Sequence, residues 1–275
     1  MADMAQSPLA GKRIVITRAA AQSEALSKQL SVLGAIPLIL PLVAFADPES
    51  FVELDEAIAQ LEQFDWVVFT SGQAVRAFAA RSESLKIPLS RTENKAMIAA
   101  VGPASAEAVR LARLPVEYVA KVHNGVALAN ELGERLRGRK VLLPRSDRAN
   151  PDLPAALKGH GAQVTEVVAY RTLQPTDVDK QNLGRIAAGE ADAILFFSPS
   201  AVHNFVESTG VDQLHGLQDR LAIAAVGPVT AGALRDAGVE RVVVAADTTT
   251  ATVVQALEQY FTGTIRQPAT GVKPG

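Results

Sequence analysis

Small hydroxyl-bearing residues stand directly after apolar runs at several points in this chain, an arrangement suited to holding an anion. Thr70, Ser71 and Gly72 follow DWVVF, Ser198, Ser200 and Ala201 follow ADAILFF, and Ser105 and Thr230 each lie three residues beyond the glycine of a Val-Gly-Pro triplet. Where a buried strand gives way to a helix, the first-turn N–H groups lack partners and carry the positive end of the helix dipole. Hydroxyls and amides there together receive a carboxylate or phosphate. Each residue also has an ordinary reading: Ser105 and Thr230 as helix caps, and Gly-Pro as the end of a strand and the start of a helix. Arg18 and Arg145 close the runs KRIVITR and KVLLPR; each either meets a ligand carboxylate or stands as a solvated strand end. Tyr170 closes TEVVAY. Its phenol either packs as a buried aromatic or donates a proton from a neutral group.

Other chemistries lack their signatures. The four histidines, His123, His160, His203 and His215, show no metal-ligand spacing, and no HExxH occurs. There is no GxSxG elbow, no Walker loop and no GxGxxG after a strand, which counts against serine hydrolases, ATPases and dinucleotide enzymes. With no cysteine, the chain has no disulfide, thiolate nucleophile or cysteine-ligated metal. The groups at Asp147–Arg148 and Asp177–Lys180 read as ordinary surface charge.

The elements that must position the candidates form an internal repeat. Gly11 and Gly138, Gly34 and Gly161, and Asp65 and Asp192 are each 127 residues apart, while Gly102 and Gly227 are 125 apart. Each copy reads as strands alternating with helices and ends in a short strand, expected at Val116–Val119 and Arg241–Ala245. Continuous runs such as WVVF, AILFF and IAAV suit parallel strands covered on both faces, with AEAVRLARL and TAGALRDAG as covering helices. The fold class expected is α/β, as two similar doubly wound parallel sheets. The hydroxyl residues then fall at the carboxyl ends of strands, where open parallel sheets bind ligands, and the two rims are expected to face one another across a cleft.

Composition agrees with a folded chain: 275 residues, 48% hydrophobic, 20% charged, and 27 basic against 29 acidic residues for a net charge of −2. No overall positive field points to nucleic acid or an anionic membrane. No apolar stretch approaches the ~18 residues of a membrane span. MADMAQSPLAGKR reads as a short unpacked lead without a signal-peptide core, and TGTIRQPATGVKPG as an unpacked tail, flexible over 266–275.

The ordered set GKRIVITRAAAQSEALSKQLSVLGAIPLILP, DWVVFTSGQAV, AAVGPASAEAV, KVLLPRS, VTEVVAYRT, LFFSPSAV and AVGPVTAGAL resembles the uroporphyrinogen-III synthase family from about Gly11 to Phe261. The resemblance implies two α/β domains, 1–40 plus 174–265 and 45–168, joined by linker strands at 38–45 and 165–172. It implies a cofactor-independent hydro-lyase without metal that closes hydroxymethylbilane, a linear tetrapyrrole with eight carboxylates, to uroporphyrinogen III. Ring D is inverted and water is lost, through an azafulvene-like cation and a spiro-pyrrolenine. On this basis Tyr170 assists hydroxyl departure, and Ser71, Ser105, Ser198, Ser200, Ala201 and Thr230 match positions whose hydroxyls or amides hold the acetate and propionate arms. By their places at the strand ends, Arg18, Thr70, Gly72 and Arg145 are expected to bind the substrate beside them. A cytoplasmic monomer is expected, receiving substrate by transient hand-over from hydroxymethylbilane synthase, with no nucleic-acid or membrane partner. Gln73, Ala19 and Ser105 depart from the more usual Asn, Pro and Thr. A hinged two-lobed receptor and a redox or phosphate-transfer enzyme are the competing readings, the latter disfavoured by the missing glycine loops.

Overall fold

The structure is a computed structural model describing residues 7–89, 95–175, 179–245 and 249–263. The first six residues of the expected lead, Asp177, and the tail from residue 264 onward lie outside the described residues. In chain order the elements are β1 (Arg13–Ile16), α1 (Ala20–Val32), β2 (Ile36–Ile39), β3 (Ala44–Ala46), α2 (Val52–Ala59), β4 (Trp66–Phe69), α3 (Gly72–Ser84) and β5 (Met97–Ala100). There follow α4 (Pro103–Leu111), β6 (Tyr118–Val119), α5 (Gly125–Leu132), β7 (Lys140–Ser146), α6 (Asp152–Gly159) and β8 (Gln163–Leu173). The chain ends with α7 (Lys180–Ala187), β9 (Ala193–Phe196), α8 (Pro199–Thr209), α9 (Val211–Leu217), β10 (Ala222–Val226), α10 (Pro228–Asp236), β11 (Val242–Ala245) and α11 (Thr250–Phe261).

Two compact units divide these elements: Met1–Val43 with Gln174–Gly275, and Ala44–Leu173. The first unit holds a five-stranded parallel sheet in the order β11-β10-β9-β1-β2. The second holds β6-β5-β4-β7-β8, all parallel, with β3 added antiparallel at the edge through Ala44, Phe45 and Ala46 opposite Leu173, Thr172 and Arg171. Each parallel sheet therefore takes two strands from one sequence repeat and three from the other. Fold class is as expected, α/β twice over.

Period-2 geometry explains the continuous apolar runs. Along β4, Val67 and Phe69 join the cluster covered by α2, α3 and α4, whereas Trp66 and Val68 join the cluster covered by α5 and α6. Both faces of the strand are dry, so no polar alternation is tolerated. In the first unit Ile14 and Ile16 of β1, Leu26 and Leu30 of α1 and Leu257 of α11 pack in one cluster.

Three local expectations are corrected. The lead is packed from Ser7 onward: Leu9 is fully buried in the core, and Gly11 N donates to the Gly34 carbonyl at 2.8 Å. The strand expected over Val116–Val119 is only Tyr118–Val119. Tyr170 does not close its strand, because β8 continues to Leu173.

Candidate active site

A doubly wound sheet opens where its strand order reverses, since successive helices leave to opposite faces. In the second unit this point lies between β4 and β7: α3 packs on one face and α6 on the other. Ser71 stands there as the N-cap of α3, with an extended backbone and a hydroxyl that accepts from Ala74 N at 3.1 Å. That bond satisfies one otherwise orphaned helix donor. The same Ser71 oxygen lies 3.2 Å from the Tyr170 hydroxyl.

Tyr170 reaches this position through a break in register. Arg145 pairs with Val168, but the next residue, Ser146, pairs with Tyr170, so Ala169 is an extra residue in β8. Strict alternation would put Ala169 and Tyr170 on opposite faces. With the bulge both join the cluster beneath α3, and a bulge of this kind re-aims a side chain. The ring meets Phe45 edge-on at 5.4 Å. Burial pushes the phenol above its ordinary 10.0, with smaller opposing pulls from the Ser71 hydrogen bond and the Arg76 charge. Tyr170 is accordingly a neutral hydrogen-bond donor at physiological pH.

Polar groups around the bulge were not evident from residue type. Asp147, read as surface charge, accepts from Thr172 N and from the Ser146 hydroxyl, each at 2.9 Å, and its own N–H donates to the Tyr170 carbonyl at 3.2 Å. It ties the end of β7 to β8 across the irregularity. Arg76, in the first turns of α3, donates to Gln73 Oε1 from Nε and Nη2 at 3.3 and 3.0 Å, and its charge acts on Tyr170. His123 packs against Gly102, where an added Cβ would lie 3.5 Å from the ring.

The remaining expected residues of this unit divide. Thr70, Ser71 and Gly72 are half-buried at the carboxyl end of β4. Ser105 is buried in the first turn of α4, whose N-cap is Gly102, so the helix-cap reading fails for it. Arg145 turns inward: its side chain is only 9% exposed, with Nη1 donating to Glu166 at 2.7 Å and Nη2 to the Asn150 carbonyl. A guanidinium buried beside its own carboxylate joins β7 to β8 and the approach to α6. Its charge is met within the protein.

In the first unit the order reverses between β1 and β9. Ser198 caps α8 by accepting from Ala201 N at 3.3 Å, and Ser200 is half-buried beside it in the first turn. Ala201 is buried, and its N–H makes the Ser198 capping bond. Thr230 is buried in the first turn of α10, where Gly227 is the cap. Arg18 lies just past β1 with its guanidinium 4.7 Å from the centre of the Phe197 ring, a cation–π contact that orients it at the rim. Asn204, which nothing in the sequence marked, is buried and donates to the Leu42 carbonyl at 2.6 Å. His160 and His215 are engaged locally, with Asn130 Oδ1 at 3.0 Å and the Ala237 carbonyl at 2.7 Å.

Fold and sites thus define a two-unit α/β protein whose strand-end rims carry hydroxyls and helix N–H groups, one of them with a buried phenol. A family model described as uroporphyrinogen-III synthase HemD matches residues 24–255. The uroporphyrinogen-III synthase of Synechococcus elongatus is 31% identical over 232 residues, 82% of this chain and 87% of that protein. That of Chlorobaculum parvum is 23% identical over 231 residues, 83% of this chain and 91% of its own. A crystal structure of a mutant uroporphyrinogen III synthase from Thermus thermophilus superposes with a TM-score of 0.66 at 25% identity, covering 92% of this chain and all of that one. The chain belongs to the uroporphyrinogen-III synthase family, lyases of porphyrin and tetrapyrrole biosynthesis. No helix among the described residues is long and apolar enough to cross a membrane.

Proposed function

We propose that this chain closes hydroxymethylbilane to uroporphyrinogen III, with Tyr170 assisting departure of the terminal hydroxyl. The observation that carries the reading is the buried Tyr170 hydroxyl held 3.2 Å from Ser71 at the point where the strand order of its sheet reverses. A phenol that stays neutral carries the proton the leaving oxygen needs. As the C–O bond breaks, that proton leaves with the oxygen as water, and the substrate becomes an azafulvene-like cation. Attack by ring D forms the spiro-pyrrolenine, and rearrangement closes the macrocycle with ring D inverted. The proton released on rearomatisation returns to the phenolate, so the net loss is one water. No electrons are exchanged, and the proposal assigns no cofactor or metal.

The carboxylate arms are taken at the rims. In one unit the receptors are Thr70, Ser71, Gly72 and Ser105, and in the other Arg18, Ser198, Ser200, Ala201 and Thr230. Neutral N–H donors suit this load, because they bind several carboxylates without demanding an equal number of buried cations. Arg145 is left out, its charge being satisfied by Glu166. A cytoplasmic monomer receiving its labile substrate from hydroxymethylbilane synthase completes the reading. The test is to mix purified protein with freshly generated hydroxymethylbilane and separate the uroporphyrinogen isomers. Type III product is expected; type I alone, the isomer formed spontaneously, would sink the proposal.

A further inference from the structure

The carboxyl edge of β4 holds a cation that the proposed reaction has not yet used. Arg76 projects from the second turn of α3, and the end of its guanidinium lies against Gly72, where an added Cβ would come within 3.2 Å of Nη1. Gly72 needs no left-handed backbone; what its missing side chain leaves is room for this guanidinium. Gln73 Oε1 takes the Nε and Nη2 protons at 3.3 and 3.0 Å, fixing the plane and leaving Nη1 free to donate. The neighbouring arginines differ. Arg81 pairs with Asp55, Arg110 with Glu107, Arg145 with Glu166 and Arg171 with Glu49. Among the described residues no carboxylate lies within ion-pair distance of Arg76. Partial burial pushes its pKa down, and Tyr170 is the group whose charge opposes that shift. An exposed cation with an ordered fork and, among the described residues, no acid partner is arranged to accept one.

We propose that Arg76, oriented by Gln73, receives a carboxylate arm of the substrate beside the Tyr170 hydroxyl. This rests on the function proposed above and adds the residue that brings the reacting end of the chain to the phenol. Its contribution is to binding and placement, and the proton is supplied by Tyr170.

The full chain is assayed with hydroxymethylbilane for kcat and KM, and with uroporphyrin III, an unreactive octacarboxylate, for Kd by fluorescence. Arg76→Ala is expected to raise KM and the uroporphyrin Kd together by about tenfold to a hundredfold, the worth of a charge-assisted pair. Arg76→Lys recovers part of the loss, because it restores the charge without the fork. Gly72→Ala, which displaces Nη1, raises KM by a smaller factor. Arg110→Ala, which removes a charge already paired on the exposed face of α4, leaves both constants unchanged. Should the alanine variant fail to fold, Arg76→Met preserves the aliphatic stem and carries the same expectation. Unchanged KM and Kd in Arg76→Ala would overturn the inference, as would a fall in kcat alone or an equal loss in Arg110→Ala. Wild-type protein that yields only the type I isomer would overturn the function, whereas the uroporphyrin measurement would still judge Arg76.

Discussion

Replacing Tyr170 by phenylalanine removes one oxygen and leaves its setting in place. The ring keeps its place in the cluster with Val167 and Ala169 and its edge contact with Phe45. Ser71 keeps the capping bond from Ala74 N. The structural loss is one hydrogen bond at 3.2 Å, worth about 0.5–1.5 kcal/mol net. The functional loss is larger, since a positioned general acid contributes roughly 10²–10⁴ in rate. We therefore expect kcat to fall about a hundredfold or more, KM to change little, and the chemical-denaturation midpoint to move only slightly. Tyr170→Ala, by contrast, opens a cavity costing about 3–5 kcal/mol. The pH dependence separates the roles further. Because burial raises the phenol above 10.0, wild-type kcat should hold through neutral pH and fall on an alkaline limb above that value. The residual activity of Tyr170→Phe should lack that limb. Stability has the same sign: the unfolded chain loses the proton first, so stability declines as pH rises above 10.0 toward the higher folded value. Single-turnover kinetics with isomer analysis measures the chemical step directly. A Phe variant with wild-type kcat, or one whose whole loss lies in KM, would refute the assignment of the phenol as proton donor.

Other predictions concern the scaffold. Gly227 has φ +86 and ψ 159, a region open only to glycine, whereas Gly102 in the matching triplet is extended at φ −161. Gly227→Ala should therefore cost about 1–3 kcal/mol in a urea melt, while Gly102→Ala, whose Cβ meets His123 at an ordinary 3.5 Å, should be near neutral. Arg145→Ala should lower stability by about 2–3 kcal/mol, less than the full cost of a broken buried pair because Glu166 is 38% exposed. Its KM should stay at the wild-type value, and a tenfold rise would restore Arg145 to the binding site. The Arg81 hydrogen bond holds Asp55 below its ordinary 3.8. The stability from this pair is thus present above pH 3.8 and is lost as pH falls through the lower folded value; Asp55→Asn should remove that part of the acid-melting profile.

Much of the fold is legible in the chain because it depends on near neighbours. WVVF and AILF must be strands dry on both faces, and Ser71 and Ser198 stand one residue before the helices they cap. The near-constant spacing between the repeats showed that one architecture occurs twice. The candidate site was less visible. Position after a strand singled out Thr70, Ser71 and Gly72 as candidates but not Arg76, whose surroundings are Gly72 beneath it and the charge-coupled Tyr170, 94 positions along the chain. Arg145 and Asp147 read as rim and surface, yet both serve the joint between β7 and β8.

By itself, then, the sequence determined most of the strands and helices and the family, since apolar period and motif order are properties of consecutive residues. Only the tertiary structure decided which charges are spent internally, which of two like glycines is obligatory, and where the phenol points. The register between Ser146 and Tyr170 shows why. One extra residue in β8 turns Tyr170 onto the face beneath α3, and that bulge is defined only against the neighbouring strand. The side chains of Val168, Ala169 and Tyr170 are the same with or without it.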